Sequence, residues 1–429
     1  MKRNEELNRL KPFKARAIIE ELRKGSVPTD YVPLFTVGRD HWLTFIQDDL
    51  KNYIAEGGAK VRFLSGDYGD GKTHFMSIIS HVALQSDFAV CFVVLTREVP
   101  IHKFEAVYQA IVRQLRGRFL GVGIRALLTR WLDDLAEKAP PTKQQLMDLA
   151  ETLRNLPGMS VNFANALAAL ATNRFIPLNK GEQKEERDTQ REILLHWFEA
   201  GKVTKRELKP FGIFEVVNKT NSKQMLNSLN VFLRFIGHSG LILLLDELET
   251  VIAQSASIRN AAYENVRLLI DNSEQTQYFH IFFAIIPDVL LSEKGFKSYD
   301  ALWSRVRSIG QKTRLNYRGV LIDLHRTPLT TKELLELGRC LRRIHEISYR
   351  WDAADKVPDD LIADVCRNQD KMGLLSEVRL FVKQVIRILD MAEQGEKPSE
   401  TLDLEEHVAV SQQEMEAEKV QQLQPSWDN

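Results

Sequence analysis

The sequence predicts an α/β protein in which a parallel sheet of five strands carries a helical insertion and a C-terminal helical lid. Short apolar runs alternate with longer amphipathic stretches, as in parallel strands joined by helices. The second predicted strand ends at Leu95 and the third begins at Leu241. This gap is far longer than one crossover connection requires, so a helical insertion must lie within it.

The predicted strands are short, rich in branched or aromatic residues, and bounded by turn residues. The last of them is the weakest. The predicted strands span residues 61–65, 88–95, 241–245, 279–286 and 320–325.

The predicted helices follow apolar residues at a spacing of three and four. The first places Ile18, Ile19 and Leu22 on one side and ends at Gly25. The connector after it contains Pro28 and Pro33, which favour extended backbone before them. The predicted helices span residues 13–24, 40–53, 72–84, 104–117, 124–137, 143–155, 160–173, 190–200, 223–236, 258–271, 331–348, 358–367 and 374–393.

Together these elements predict five regions. They are an N-terminal helical segment (1–36), a core (37–117 and 222–330), the helical insertion (118–221), the helical lid (331–398) and an acidic, partly disordered tail (399–429).

Composition excludes several classes of protein. The 429 residues are 44% hydrophobic and 27% charged, with 58 basic and 58 acidic residues. This balance argues against a histone-like protein but allows local basic patches. Three dispersed cysteines fit neither a disulfide framework nor a zinc site. Because the start is highly charged and no apolar run approaches the ~20 residues of a membrane span, we expect a cytoplasmic protein without membrane contact.

A glycine-rich loop, GDYGDGKT at residues 66–73, lies between the first predicted strand and its helix. It fits the G-x-x-x-x-G-K-[ST] pattern, in which backbone N–H groups and a helix N-terminus surround phosphates. Lys72 would reach the β- and γ-phosphates of ATP, and Thr73 would bind Mg²⁺. We expect the charges of Asp67 and Asp70 to be screened at the surface. The predicted nucleotide contacts are Gly66, Asp67, Tyr68, Gly69, Asp70, Gly71, Lys72, Thr73 and His74.

An acidic turn, Asp246–Glu247, ends the most apolar predicted strand. Ligands of α/β sheets bind at the carboxyl ends of the strands. Asp246 would therefore hold Mg²⁺, and Glu247 would polarise the water that attacks the γ-phosphate. The pair favours hydrolysis over nucleotide binding alone.

Other candidates are less specific. Ile286 ends the fourth predicted strand, where related ATPases carry a polar residue, so this contact is absent or is made by Asp288 or Thr96. Arg305 or Arg307 could act as an arginine finger for a neighbouring subunit. Arg379, at a helix start in the lid, is a candidate γ-phosphate sensor. Residues 106–132 hold five arginines and no acid. These arginines either contact a nucleic-acid backbone or pair with acidic residues elsewhere.

The chain resembles the smaller, BrxD-like P-loop ATP-binding proteins of BREX phage-defence loci. The resemblance rests on several stretches in the same order as in that family. They are ARAIIEELRKGSVP (15–28), TVGRD (36–40), FLSGDYGDGKTHF (63–75), LHWFEAGK (195–202), GLILLLDELE (240–249) and RNAAYENVRLLID (259–271).

The resemblance implies an AAA+-like ATPase, similar to origin-recognition ATPases, in a bacterial system that restricts foreign DNA. It places Val37, Gly38 and Arg39 near the adenine. Ile286 departs from the Thr-Pro of that family, which puts efficient hydrolysis in doubt.

Two functions of different classes follow. The first is a Mg²⁺-dependent ATPase that changes conformation on DNA or on a DNA-bound partner, together with other defence proteins, as a nucleotide-dependent homo- or hetero-oligomer. The second is an ATP-gated regulatory switch with little turnover, which Ile286 favours. A metabolic kinase is a weaker third, because the acidic turn is typical of hydrolases.

Overall fold

In a computed structural model of the protein, the described residues are 2–137, 139–177, 184–273, 276–307, 315–398, 410 and 413. The predicted acidic tail therefore lies almost wholly outside the described residues. The chain divides into two compact units. The first unit comprises Met1–Phe45, Leu64–His81 and Leu321–Asn429, and the second unit comprises Ile46–Phe63 and Val82–Val320. The five-region division made from the sequence remains a prediction.

The predicted five-stranded parallel sheet is confirmed. Its strand order is β2-β3-β4-β1-β5, and the parallel register pairs Val94 with Asp246 and Leu245 with Phe283. β3 is fully buried, which explains its uninterrupted apolar sequence. The strands are β1 (Ala59–Ser65), β2 (Ala89–Val94), β3 (Leu241–Asp246), β4 (Phe279–Ile285) and β5 (Leu321–Asp323).

Among the described residues, the α-helices include one near each of the thirteen predicted positions and four short helices that were not predicted, at Lys2–Asn8, Lys205–Leu208, Pro287–Leu291 and Asp300–Val306. They are α1 (Lys2–Asn8), α2 (Pro12–Arg23), α3 (Asp40–Asp49), α4 (Lys72–Gln85), α5 (Phe104–Gln114), α6 (Ile124–Leu135), α7 (Lys143–Asn155), α8 (Val161–Phe175), α9 (Lys184–Phe198), α10 (Lys205–Leu208), α11 (Ser222–Phe235), α12 (Ala256–Ser273), α13 (Pro287–Leu291), α14 (Asp300–Val306), α15 (Thr331–Tyr349), α16 (Asp359–Lys371) and α17 (Val378–Glu393).

Two local predictions differ from the structure. The connector after α2 is not extended throughout, because Thr29–Leu34 forms a 3-10 helix that includes Pro33. The second predicted helix changes from α to π geometry at Leu50–Ile54. Proline restricts the residue before it but tolerates helical backbone at its own position, so the connector can still turn.

The core of the first unit joins helices from both ends of the sequence. Ile18 and Ile19 of α2 are fully buried in a hydrophobic cluster with Leu341 of α15 and Leu389 of α17. Arg23 of α2 also forms a bidentate ion pair with Asp390 at 2.7 and 3.0 Å. The N-terminal helix and the C-terminal helices therefore stabilise one another.

The second unit surrounds strands β2 to β4 with helices. Phe163, Trp197 and Phe198 pack edge to face in its helical part, and the ring of Phe232 is tilted against that of Phe163. Trp197 is 1% exposed, and its indole N–H donates to the carbonyl of Glu215, as expected of a core residue. No helix among the described residues is both long and apolar enough to cross a membrane.

Candidate functional site

The glycine-rich loop, Gly66–Thr73, turns from β1 into the first residue of α4, Lys72. Gly69 and Gly71 have φ angles of +99° and +88°, which glycine adopts without steric strain. At Gly66, a Cβ atom would lie 3.1 Å from Oδ2 of Asp70 and 3.4 Å from Cβ of Leu324. The glycines therefore allow both the positive φ angles of the loop and its close packing against Asp70 and Leu324.

The side chain of Lys72 folds back over the loop. Its Nζ donates hydrogen bonds to the carbonyl oxygens of Gly66 at 2.9 Å and Asp67 at 3.2 Å. The ammonium also lies 5.1 Å from the ring centroid of Tyr68, within the range of a cation–π contact. Lys72 is only 8% exposed, so its charge is held inside the loop.

Asp67 and Asp70 have different roles in the loop. The side chain of Asp70 is 3% exposed and accepts the Asp67 N–H at 2.7 Å. Burial raises the pKa of Asp70. The expectation of a surface-screened charge is therefore wrong for Asp70, which closes the loop from inside. Asp67 is exposed, with Oδ2 3.8 Å from Nδ1 of His325.

His74 fixes the first turn of α4 to the N-terminal segment. Its Nε2 lies 3.0 Å from Oγ1 of Thr36, which itself donates to the carbonyl of Val32. Thr36 Oγ1 therefore accepts the His74 N–H. Burial lowers the pKa of His74 to about 4, and the positive charge of Arg39 adds to the shift. His74 is consequently neutral at physiological pH and acts as a hydrogen-bond donor.

Val37, Gly38 and Arg39 are packed against residues just before and at the start of α15. Arg39 is 7% exposed, and its Nη1 donates to the carbonyl of Thr327 at 2.6 Å. Burial lowers the pKa of Arg39 to about 10, and the charges of Asp70 and Glu333 oppose the shift. Gly38 has φ +66°, and a Cβ there would lie 2.5 Å from Leu329. This segment therefore has a structural role beside the loop.

Arg379 contacts the glycine-rich loop through its backbone. Its N–H donates to the carbonyl of Gly69 at 3.1 Å. Its guanidinium group packs over Gly25, where a Cβ would lie 2.5 Å from Nη2. Gly25 was predicted only as a helix stop, but its missing side chain also makes room for this arginine.

The acidic turn lies in the second unit. Asp246 is 2% exposed, and its Oδ1 accepts the N–H of Glu247 at 3.0 Å. Glu247 has left-handed backbone angles of φ +63° and ψ +37°. A non-glycine residue in this conformation is strained by about 1–3 kcal/mol. Thr250 holds the turn, because its N–H and its hydroxyl both donate to the Glu247 carbonyl.

Thr96 and Asp288 were the two candidates to replace the polar side chain that Ile286 lacks. Thr96 donates its hydroxyl to Glu98 at 3.0 Å and accepts the N–H of Val99 at 3.2 Å, so it is engaged in its own turn. Asp288 is exposed in the first turn of α13. Ile286 itself is half-buried.

The two finger candidates differ. Arg305 forms an ion pair with Asp271 of α12 through Nε and, at 3.0 Å, through Nη2. Arg307 follows α14, is exposed, and forms no ion pair with the described residues. Of the two, Arg307 therefore has the more available guanidinium group.

Most arginines of the run at 106–132 pair with acids of the second unit. Arg118 contacts Asp87 at 3.2 Å, and Arg130 contacts Asp134 at 2.8 Å. Arg125 reaches both Glu192 and Glu199 at 2.8 Å. These ion pairs favour a solvated face over a nucleic-acid surface.

Within the first unit several predicted site residues come together. Arg379 donates to the loop backbone, and His74 bonds to Thr36 of the N-terminal segment. The charge of Arg39 acts on Asp70 and His74. Sequence reasoning missed the partners that hold them, namely Thr36, Thr327 and Glu333. Thr36 begins the TVGRD stretch, and Glu333 belongs to the capping box of α15. Neither pattern shows which distant residue its side chain contacts, and Thr327 belongs to no pattern that the sequence analysis identified.

Comparison with known proteins gives one family. The family model of the BREX system ATP-binding protein BrxC/D matches residues 10–409. Neither curated proteins nor solved structures give a significant match. The match spans the glycine-rich loop, the acidic turn and helices α15 to α17, and the chain belongs to the BrxC/D family of BREX system ATP-binding proteins.

Proposed function

We propose that this protein is a Mg²⁺-dependent ATPase of BREX anti-phage defence. The glycine-rich loop would bind the phosphates of ATP, and the acidic turn would act on the same triphosphate. Binding and hydrolysis would drive a conformational change on DNA or on a DNA-bound partner, within a nucleotide-dependent oligomer.

The single observation that carries the proposal is the position of Lys72. The buried ammonium donates to two backbone carbonyls and lies beside one ring. It forms no ion pair with a carboxylate among the described residues, although the charge of Asp70 acts on it from within the loop. Its burial has a cost that an anion would offset. A phosphate at the N-terminus of α4 would meet both this charge and the positive end of the helix dipole.

The chemistry of the donors fits Mg²⁺, which prefers hydroxyl and carboxylate oxygens. Thr73 would offer its hydroxyl and Asp246 its carboxylate, while bound Mg²⁺ would supply positive charge to the phosphates. Glu247 would accept a hydrogen bond from the attacking water and orient it. The strained backbone of Glu247 supports this role, because strained non-glycine residues cluster at active sites.

Nucleotide binding is the first test. Lys72→Ala should weaken ATP affinity about 100-fold or more, since removing one partner of a buried charge pair typically costs 2–5 kcal/mol. Titration calorimetry with ATP and Mg²⁺ measures the loss. Lys60→Ala, at a lysine of β1 outside the loop, is the matched control. Unchanged ATP affinity in Lys72→Ala would overturn the assignment of the loop.

A second candidate is an ATP-gated switch with turnover near background. The apolar side chain of Ile286 and the engaged hydroxyl of Thr96 favour it. So does the hydrogen bond from Arg379 to Gly69, because a nucleotide in the loop would act directly on the first turn of α17. Steady-state hydrolysis with and without DNA separates the two candidates, since the switch predicts background rates in both.

A further inference from the structure

A basic segment at residues 9–16, RLKPFKAR, has four cations and no acid. It leads into α2, with Pro12 as the first helical residue. Arg9, Lys11 and Lys14 are all exposed. None of the three forms an ion pair with a carboxylate among the described residues, in contrast to Arg118, Arg125 and Arg130 of the second unit. This surface therefore keeps a net positive charge, because the three cations outnumber the two carboxylates, Glu6 and Asp30, that lie beside them.

The three cations line a cavity of about 260 Å³ in the first unit. The cavity is somewhat smaller than the ~300–1,000 Å³ typical of sites that enclose a drug-sized ligand. It therefore suits part of a larger molecule, such as a phosphate and its sugar, rather than a whole nucleotide cofactor. Glu6 and Asp30 also line it, and the Glu6 carboxylate offers an acceptor for the amino group of a base.

Phe13 lies in the same basic segment and is 83% exposed. The neighbouring Lys14 ammonium lies 6.0 Å from the ring centroid of Tyr31, a second aromatic residue that lines the cavity. Aromatic rings beside a cationic groove are typical of proteins that stack unpaired bases while binding the phosphate backbone. A base inside a duplex does not offer its face in this way.

We propose that the basic segment binds single-stranded nucleic acid. A phosphodiester group would lie in the cavity against Arg9, Lys11 and Lys14, and an adjacent base would stack on Phe13. This site deepens the proposed action on DNA, but it needs no ATP, so its test stands apart from that of the glycine-rich loop.

The affinity should depend on salt with a predictable slope. Each phosphate contact on a single strand contributes about −0.7 to the slope of log K against log salt. Three contacts therefore predict a slope of about −2. Stacking on Phe13 adds a part that depends little on salt.

The test is fluorescence anisotropy of the full chain without nucleotide. The probe is a labelled oligothymidine of about 20 nucleotides, longer than the 4–16 nucleotides of a typical single-strand site. Three further probes are a duplex of equal length, an oligouridine and a polyglutamate peptide. Each is titrated at several salt concentrations.

Two sets of variants localise the binding. The triple variant Arg9→Gln, Lys11→Gln and Lys14→Gln should bind oligothymidine at least about tenfold more weakly, with a slope near zero. Phe13→Ala should weaken binding about tenfold, whereas Phe13→Trp should restore it. All four changes are at exposed positions, so the fold should remain intact, which circular dichroism checks.

Matched controls come from another basic surface. Lys202, Lys205 and Arg206 are exposed, and Phe214 near them is 62% exposed. Changing the three cations to Gln, or Phe214→Ala, should leave affinity within about twofold. The proposal is overturned if these controls weaken binding as much, if the duplex or polyglutamate binds as tightly as oligothymidine, or if the wild type binds no strand. Tighter binding of oligouridine than of oligothymidine would support it and identify RNA as the strand.

Discussion

The glycine-rich loop of the first unit and the acidic turn of the second unit hold their functional groups in opposite ways. The loop uses Gly69 and Gly71 where the backbone is left-handed, and it is closed by hydrogen bonds from Lys72 and to Asp70. The turn places Glu247 itself in the left-handed region. The loop thus has a relaxed backbone, whereas the turn retains strain at the residue proposed to act on water.

The largest effect should come from removing the charge of Glu247 while keeping its shape. Glu247→Gln should lower ATP turnover about 100-fold or more, because general bases typically contribute 10²–10⁴-fold. ATP affinity should stay unchanged, since the loop is untouched. Single-turnover hydrolysis beside a binding titration measures both. Turnover equal to wild type would remove the proposed role of Glu247, and Glu249→Gln two residues later is the control.

Adding a side chain to the relaxed loop tests the other half of the comparison. At Gly71 a Cβ atom would meet only His74 Cβ at 3.9 Å, so space is available. Gly71→Ala should still destabilise the first unit by about 1–2 kcal/mol, because a left-handed backbone is strained for alanine. Chemical denaturation measures the change in the free energy of unfolding. Gly237→Ala is a control for the backbone effect alone, since it also has positive φ and open space but lies outside the loop.

Removing the side chain from the strained turn should act in the opposite direction. Glu247→Gly relieves the left-handed strain but makes the unfolded chain more flexible, so the net gain in stability should be about 0.5–1 kcal/mol. Denaturation of the second unit measures it. A loss of stability would show that the Glu247 side chain, rather than strain, dominates the energy of the turn.

The smallest effect at neutral pH is expected at His74. Its pKa falls to about 4 in the folded protein, below the ordinary 6.5, so it stabilises the fold above pH 6.5. This contribution should be lost as the pH falls from 6.5 towards 4, because the unfolded chain then binds the extra proton. His74→Gln should make the loss of stability over that range less steep. Thermal denaturation at several pH values measures the slope.

The exposed His196 provides the control for His74. His196→Gln should leave the acid slope of the wild type unchanged. An equal flattening in both variants would mean that the slope does not report on the environment of His74.

The sequence predicted strands and helices well where apolar spacing alone decides them. β3 was predicted within one residue because its apolar run is uninterrupted, and α7 was predicted at its observed bounds, Lys143–Asn155. The 3-10 helix at Thr29–Leu34 was missed, since proline permits both extended and helical backbone.

The candidate site was predictable to the extent that its chemistry is local. The loop pattern identified Lys72, but it gave no sign that Asp70 is buried, because neighbours distant in sequence decide burial. The strain at Glu247 has no counterpart in residue type, since left-handed backbone usually signals glycine. The hydrogen bond from Arg379 to Gly69 could not be predicted, because it joins residues about 300 positions apart.

The shared core of α2 and α15 has a consequence for synthesis on the ribosome. Residues 24–330 are translated between the two helices, which takes about 15–60 s at 5–20 residues per second. During this interval the apolar stripe of α2, with Ile18 and Ile19, lacks its partners in α15 and α17. The nascent chain therefore carries an incompletely buried apolar helix near its N-terminus while almost three quarters of its length is synthesised.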